Sequence, residues 1–283
     1  VSSIQPGGRY GVALEPKDDG FESLLVNLET RGTDASNPVL LGSEQAYFNA
    51  RAWSSDGAWL AFVAPVTAGE RTGGEVFGIR PGDAAPTQWT QLSEIYGAAR
   101  INGISVGELS WSPDDTRIAF WVTEITGADP TANLGSATIH ILNVATGELS
   151  AYCAFATGEQ TPNPPRLVWS PDGTHIAFWV IEMLGPNPES NTGNATLHIL
   201  NINTGEVQKY CGFTTTEHTP NPPRLSWSPD GTHLAFGGNV PGDDKGYLLL
   251  ALDTSTGVFT QLSDGIYPSF GGANIIAWGL PPQ

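Results

Sequence analysis

The sequence predicts an all-β protein: a five-bladed β-propeller of four-stranded antiparallel blades. Three observations predict it. First, the stretch Trp-Ser-Pro-Asp-(Gly/Asp)-Thr-x-(Ile/Leu)-Ala-Phe starts at Trp111, Trp169 and Trp227, with a weaker copy at Trp53, and each step is 58 residues. A fixed period of this order marks an array of like supersecondary units that bury one another's faces. Second, each period holds four short strand-like runs separated by turn residues, which is the make-up of one blade. Third, the two ends of the chain carry complementary fragments of such a unit.

The unit that begins at Ile104 shows the elements in order. Residues 108–111 are a short first strand ending on Trp111. Ser112-Pro113-Asp114-Asp115 is a tight turn, because proline fixes φ and aspartate bonds the backbone beyond it. Residues 117–122 are almost all apolar, as expected of a strand covered on both faces. A polar loop is expected over 124–136, a third strand over 137–142, a turn at Ala145-Thr146-Gly147-Glu148, and a fourth strand over 149–152. The next unit repeats this nearly word for word, with Ala195-Thr196-Leu197-His198-Ile199-Leu200 echoing residues 137–142.

Four complete units are thus expected, at 46–97, 98–156, 157–214 and 215–271. Upstream, residues 5–14 resemble the turn and second strand, 22–28 the third strand and 38–41 the fourth, without a proper first strand. Downstream, Asn274-Ile275-Ile276-Ala277-Trp278 resembles a first strand with nothing after it. The expected fifth blade therefore joins 1–45 to 272–280, so that the C-terminal strand closes the ring and removes exposed edges.

The chain has 283 residues, 29 acidic against 12 basic, and a net charge of −17. Such a chain repels phosphate backbones and anionic lipid, so nucleic-acid binding and a polybasic membrane dock are not expected. The longest apolar runs, such as 176–181, fall far short of a membrane span. No charged-then-apolar leader is visible, and Val1 at the start fits a processed terminus. Cys153 and Cys211 are again 58 residues apart. Equivalent positions on separate blades should lie about 20 Å or more apart given the strand spacing, beyond the roughly 7 Å between Cα atoms that a disulfide tolerates. Two free thiols are expected.

Function is expected on the rim that carries the inter-strand loops 15–20, 67–75, 124–136, 182–194 and 239–245, and the inter-blade loops 98–104, 157–165 and 215–223. Three residues before each motif tryptophan stand Ala50, Glu108, Arg166, Arg224 and Ile275. Glu108 with Arg166 and Arg224 is the most site-like set: it either grips a carboxylate or a charged side chain of a partner, or forms a structural ion-pair belt. Asn163 and Asn221, at the starts of two units, belong to the same mouth. Trp121 and Trp179 precede Glu124 and Glu182 by three residues, an aromatic-plus-carboxylate pattern suited to sugars; packing of the rings with solvated glutamates is the simpler reading. The motif tryptophans read as core and Asp56, Asp114, Asp172 and Asp230 as turn formers. His140 and His198, like His175 and His233, are equivalent positions that do not converge, so no metal site is expected. Asp18-Asp19 and Asp243-Asp244 read as loop carboxylates rather than a calcium site. There is no phosphate-cradling glycine-rich loop before a helix and no Gly-x-Ser-x-Gly elbow. No cofactor and no catalytic residue is assigned.

Trp-Ser-Pro-Asp-Gly-x-x-Ile-Ala-Phe resembles the WD40-like (PD40) repeat of TolB-type β-propellers, a repeat also found in the propeller domains of prolyl-oligopeptidase-like peptidases. The resemblance spans four good copies and, through the degenerate ends, most of the chain. It implies an extracytoplasmic, secreted or periplasmic bacterial propeller that binds proteins or peptides. TolB itself has six blades and a further N-terminal domain, and the peptidases a separate hydrolase domain; neither appears here, so no catalytic residue carries over. The expectation is a non-enzymatic binding or scaffold propeller for a protein or peptide. A carbohydrate-binding or glycoside-hydrolysing propeller is the alternative from another class, although a glycosidase needs two carboxylates about 5–10 Å apart across one sugar and the axial first-strand positions offer only Glu108. A repetitive surface-assembly subunit is a third reading, favoured by the near-duplicate blades and few lysines.

Overall fold

The computed structural model describes residues 3–18, 20–30, 38–44, 50–68, 71–96, 104–125, 135–157, 166–183, 193–215, 224–238, 248–263 and 278. The chain divides into two compact units, Val1–Gly158 and Glu159–Gln283. The fold is all-β, with five four-stranded sheets in which each strand pairs antiparallel with its neighbour. Unit 1 holds three. The first is β1 (Ser3–Ile4), β2 (Tyr10–Lys17), β3 (Gly20–Asn27) and β4 (Val39–Glu44). The second is β5 (Arg51–Trp53), β6 (Leu60–Ala68), β7 (Arg71–Ile79) and β8 (Thr87–Gln88), followed by a one-turn helix α1 (Leu92–Tyr96). The third is β9 (Ile104–Trp111), β10 (Arg117–Ile125), β11 (Gly135–Asn143) and β12 (Leu149–Thr157). Unit 2 holds β13 (Val168–Trp169), β14 (His175–Met183), β15 (Gly193–Asn201) and β16 (Val207–Thr215), then β17 (Ser226–Trp227), β18 (His233–Gly238), β19 (Leu248–Asp253) and β20 (Phe259–Ser263).

The turn between first and second strands is built the same way four times. Ser54, Ser112, Ser170 and Ser228 are all buried. Each hydroxyl donates to the aspartate two residues on, at 2.5–2.6 Å. Each also accepts the N–H five residues on, at 2.9 Å. The aspartate in turn accepts the N–H two residues beyond it. One hydroxyl thus closes the turn as both donor and acceptor and leaves no buried polar atom wanting. The fourth turn residue has left-handed φ: Gly57 70°, Gly173 67°, Gly231 71° and Asp115 54°. Asp115 is the costly one, since left-handed backbone strains a non-glycine residue. Its carboxylate accepts from Ser55 N–H (2.7 Å), Ser55 Oγ (2.6 Å) and Asp56 N–H (3.1 Å), stapling the third sheet's turn to the second's.

The second strands of the third and fourth sheets are buried on both faces: Ile118, Ala119, Phe120, Trp121 and Val122 in β10, and Ile176, Ala177, Phe178 and Trp179 in β14. Within unit 1 one core joins the first and second sheets (Val12, Leu25, Leu41, Leu60, Phe62, Ile79) and another the second and third (Val63, Val76, Leu92, Leu109, Phe120, Leu142). Within unit 2 a single core joins the two sheets through Trp179, Leu197, Trp227, Leu234, Phe236 and Leu250. Indole N–H groups latch neighbouring first strands: Trp111 to Ala52 O at 3.0 Å and Trp227 to Val168 O at 3.0 Å. Trp278 donates likewise to Ser226 Oγ at 3.1 Å. Gly78 has no room for a side chain, because a Cβ there would lie 1.8 Å from the Trp89 ring.

Three expectations are corrected. The N-terminal sheet has its own first strand: Ser3 pairs with Val12 and Ile4 with Gly11. Gln5 replaces the turn serine, accepting Tyr10 N–H at its Oε1 (3.2 Å) while its Nε2 donates to Gly57 O (2.6 Å). Ile4 then stands where other sheets carry the motif tryptophan, and it is exposed. Trp53 Nε1, the donor that would latch onto this strand, is buried without a hydrogen-bond partner among the described residues. The expected closing strand at 274–278 lies outside the described residues except for Trp278. Second, several expected loops are strand. Residues 67–68 belong to β6 and 71–75 to β7, with Thr67 opposite Thr72, Glu124 pairs with Ser136, and Glu182 pairs with Asn194. Third, β2 and β3 are joined across residues 18–19, not by a loop over 15–20.

Removing the Ser170 hydroxyl orphans the His175 N–H and takes one donor from Asp172, which keeps those of Thr174. Ser170→Ala is expected to cost about 1–3 kcal/mol in chemical denaturation, with Ser170→Thr costing less. Acid acts on two turn aspartates, Asp230 of the fourth Ser-Pro-Asp turn and Asp253 of the turn between β19 and β20. Hydrogen bonds, that from Ser228 foremost, hold Asp230 at about 2 against a usual 3.8, and that from Ser255 holds Asp253 at about 2. Both pKa values are depressed by folding, so their contribution is present above about pH 4 and is lost as pH falls toward 2. Acid titration of Asp230→Asn with Asp253→Asn should show a shallower loss of stability in that window than wild type.

Candidate functional site

In unit 2 the sequence places Arg166 and Arg224 two residues before β13 and β17. The residue after each arginine is an anchor: Leu167 is 3% exposed and Leu225 8%. The alternation that turns these leucines inward turns the arginines outward, and both are exposed. Val168 pairs with Ala177 and Trp169 with Ile176, while Ser226 pairs with Ala235 and Trp227 with Leu234. β13 and β17 are in contact, tied by the Trp227–Val168 bond. The two guanidinium groups are therefore carried at equivalent points of neighbouring first strands. Neither makes a hydrogen bond or ion pair among the described residues. An ion-pair belt has no described contact at either arginine to rest on. Asn163 and Asn221 lie outside the described residues.

In unit 1 Glu108 lies in a bulge of β9: Ala119 pairs with Ser110 and Trp121 with Gly107, so Glu108 and Leu109 together oppose Phe120. Its φ is +52°, the left-handed region in which a glutamate is strained. Bulges re-aim side chains and persist at functional positions. Glu124 is buried, and its Oε2 accepts from Ser136 Oγ at 3.3 Å, so it is not a solvated loop carboxylate.

The aromatic-plus-carboxylate pattern does not make a sugar platform. Trp121 is 2% exposed and meets Phe155 edge-on at 6.1 Å. In unit 2 Trp179 is 3% exposed and meets Phe236 edge-on at 5.2 Å. Neither ring offers a face to solvent. Of Glu182 the structure describes only the backbone pairing with Asn194. His140 and His198 are buried and stack on Phe120 (5.7 Å) and Phe178 (5.6 Å). Burial lowers the pKa of both. Cys153 is a half-buried free thiol whose pKa burial raises; the Cys211 side chain is outside the described residues. Among the described residues no three His, Cys, Asp or Glu side chains group as metal ligands, and no helix is long and apolar enough to cross a membrane.

Sequence reasoning missed two devices in unit 1. Glu75 is fully buried. Its Oε2 accepts from Thr90 Oγ1 (2.7 Å) and Leu92 N–H (2.8 Å), and its Oε1 from Ser93 N–H (2.8 Å). At the other end of α1, Tyr96 Oη lies 2.9 Å from His140 Nε2. A one-turn helix leaves no periodic signal. The Asp115 staple did leave one: it is the single complete motif copy without glycine at a position that needs positive φ.

No family model matches the sequence, and no curated protein sequence matches it. Among solved structures the chain is similar to dipeptidyl peptidase 4 from Porphyromonas gingivalis: 12% identity, TM-score 0.56, 93% of this chain and 39% of that one. It is similar to a putative dipeptidyl aminopeptidase IV from Bacteroides ovatus, at 14% identity and TM-score 0.50, over 90% of this chain and 38% of that one. It is also similar to puromycin hydrolase, at 19% identity and TM-score 0.50, over 92% and 36%. The chain thus spans under two fifths of the length of each. At such identities the likeness is one of fold: the five sheets match the β-propeller domains of these proteins.

If strain at Glu108 is retained for a role other than packing, glycine should relieve it. Glu108→Gly is expected to leave the unfolding midpoint unchanged or raise stability by up to about 1 kcal/mol, measured by urea denaturation. A loss larger than that identifies Glu108 as a packing group.

Proposed function

We propose that the chain is a five-bladed propeller of the TolB-like kind that binds a protein or peptide without catalysing a reaction, and that Arg166 and Arg224 grip a carboxylate of that partner. The observation that carries this reading is the pair of exposed guanidinium groups on adjoining first strands, neither engaged among the described residues. In a chain of net charge −17, outward cations at repeat-equivalent positions are conspicuous. Guanidinium groups present paired N–H donors that match a carboxylate. Anchoring by Leu167 and Leu225 fixes the backbone beneath them, so little ordering is needed on binding. The resemblance of the repeat to TolB-type propellers supports a place outside the cytoplasm. Burial of Trp121 and Trp179 weighs against the carbohydrate reading.

The test uses a panel of immobilised peptides with glutamate-rich sequences, their glutamine counterparts and basic sequences. Wild type should bind acidic members and lose roughly tenfold or more in affinity toward the glutamine versions, as expected when a charge-assisted bond is removed. Arg166→Glu with Arg224→Glu, shown to be folded by its thermal transition, should lose the acidic binders. A panel with no carboxylate-dependent binder, or a folded double variant that binds like wild type, overturns the proposal.

A further inference from the structure

We propose that the tip of the β2–β3 hairpin is a docking surface for a basic segment of another protein, one that sets an aliphatic or aromatic side chain among lysines or arginines. The surface lies in unit 1 and does not depend on the arginine pair of unit 2.

The hairpin has two unlike faces. Opposite residues of an antiparallel pair share a face. Val12 pairs with Leu25, Leu14 with Ser23 and Pro16 with Phe21, so these six share one face. Its inner part is core: Val12, Leu25 and Ser23 are buried, the first two in one cluster with Leu60 and Phe62 of the second sheet. Toward the tip the cover runs out. Gly42, the β4 partner of Ser23, still meets the second sheet, since a Cβ there would lie 3.3 Å from that of Ala64. Leu14, on the far side of Ser23, is 39% exposed, and Phe21, nearer the tip, is 47% exposed. Pro16 beside them is exposed too. An apolar patch rimmed by charge marks a place where a partner sits, and an aromatic side chain is its natural anchor.

The other face and the turn are acidic. Residues 14–22 hold Glu15, Asp18, Asp19 and Glu22 against Lys17 alone, a net charge of −3. Glu15 and Glu22 pair on the face opposite Leu14 and Phe21. Lys17 is held between them, at 3.4 Å from Glu15 and 3.3 Å from Glu22. The Glu22 bond foremost raises its pKa, so it stays charged and spends that charge within the hairpin.

Charge decides among occupants. Anionic lipid is repelled. A second copy brings a net charge of −17 and is repelled as well. A basic segment is attracted, and its apolar residue covers Leu14 and Phe21. Pro16 decides the mode of binding. Among the described residues β1 pairs only with Gly11 and Val12, so β2 has an open edge beyond them. Gln5 N–H donates to Tyr10 O on that edge at 2.9 Å, and alternation brings the backbone of residues 14 and 16 to the same side. Proline offers no N–H there, which blunts the edge against an added strand. Side chains rather than ladder bonds hold the partner.

The test titrates the full chain with three end-capped peptides, Lys-Phe-Lys-Leu-Lys, Glu-Phe-Glu-Leu-Glu and Lys-Gly-Lys-Gly-Lys. NMR follows the Leu14 methyl and Phe21 ring signals. The first peptide should shift both along one saturating curve, and the other two should not. Leu14→Ser with Phe21→Ser, shown to be folded by its thermal transition, should bind that peptide roughly tenfold or more weakly. Glu15→Lys with Asp18→Lys, which leaves the tip at +1, should prefer the glutamate peptide. No saturating shift with the first peptide, equal binding by the folded serine variant, or equal shifts with the glycine peptide overturns the proposal. Signals that move with protein concentration alone assign the patch to a second copy and overturn it. Adhesion to phosphatidylcholine vesicles that the serine variant loses assigns it to a membrane and overturns it too.

Discussion

Four buried serine hydroxyls, those of Ser54, Ser112, Ser170 and Ser228, set the geometry on which the sheets depend. Each is donor and acceptor at once, to an aspartate two residues on and from an N–H five residues on. That single hydroxyl fixes where the first strand ends and the second begins. It therefore sets the parity of both: which side chains enter the core and which leave it. Leu167 and Leu225 go inward and Arg166 and Arg224 outward on this account. The N-terminal sheet makes the point by exception, since Gln5 performs the acceptor task with a longer arm and the strand before it is only Ser3–Ile4.

On so uniform a scaffold, differences between copies carry the information. At the fourth turn position three copies have glycine and one has Asp115, whose strain is offset by three hydrogen bonds to the neighbouring turn. At the position three before the motif tryptophan, two copies have arginine and one has Glu108 in a left-handed bulge. The connection after the second sheet holds α1 with Tyr96, its start held by Glu75 of β7. These departures are where local rules are broken, and such breaks concentrate at sites with a role beyond folding.

The fold was legible because the period is physical. Each Trp-Ser-Pro-Asp turn needs those residue types, and each apolar run of six needs cover on two sides. Strand ends were less legible: Glu124–Ser136 and Thr67–Thr72 pair despite a polar, loop-like composition, because ladders extend as far as the neighbouring strand permits. Ser3–Ile4 was illegible, being two residues with no pattern of their own. Of the candidate site, the exposure of Arg166 and Arg224 follows from alternation with buried leucines. The buried role of Glu124 does not, since its partner Ser136 is twelve residues away and local polarity suggested a loop. Glu75 was hidden for the same reason: its donors come from residues 90–93.

The central claim is that this repeating frame holds two guanidinium groups outward and ready for one carboxylate ligand. Arginine side-chain Nε–H signals, followed by NMR during titration with a dicarboxylate such as glutarate, test it most directly. The account predicts that the signals of Arg166 and Arg224 shift together along one saturating curve, with glutaramide producing no shift. Signals that stay put, or that move equally with the amide or at every exposed arginine, would contradict it.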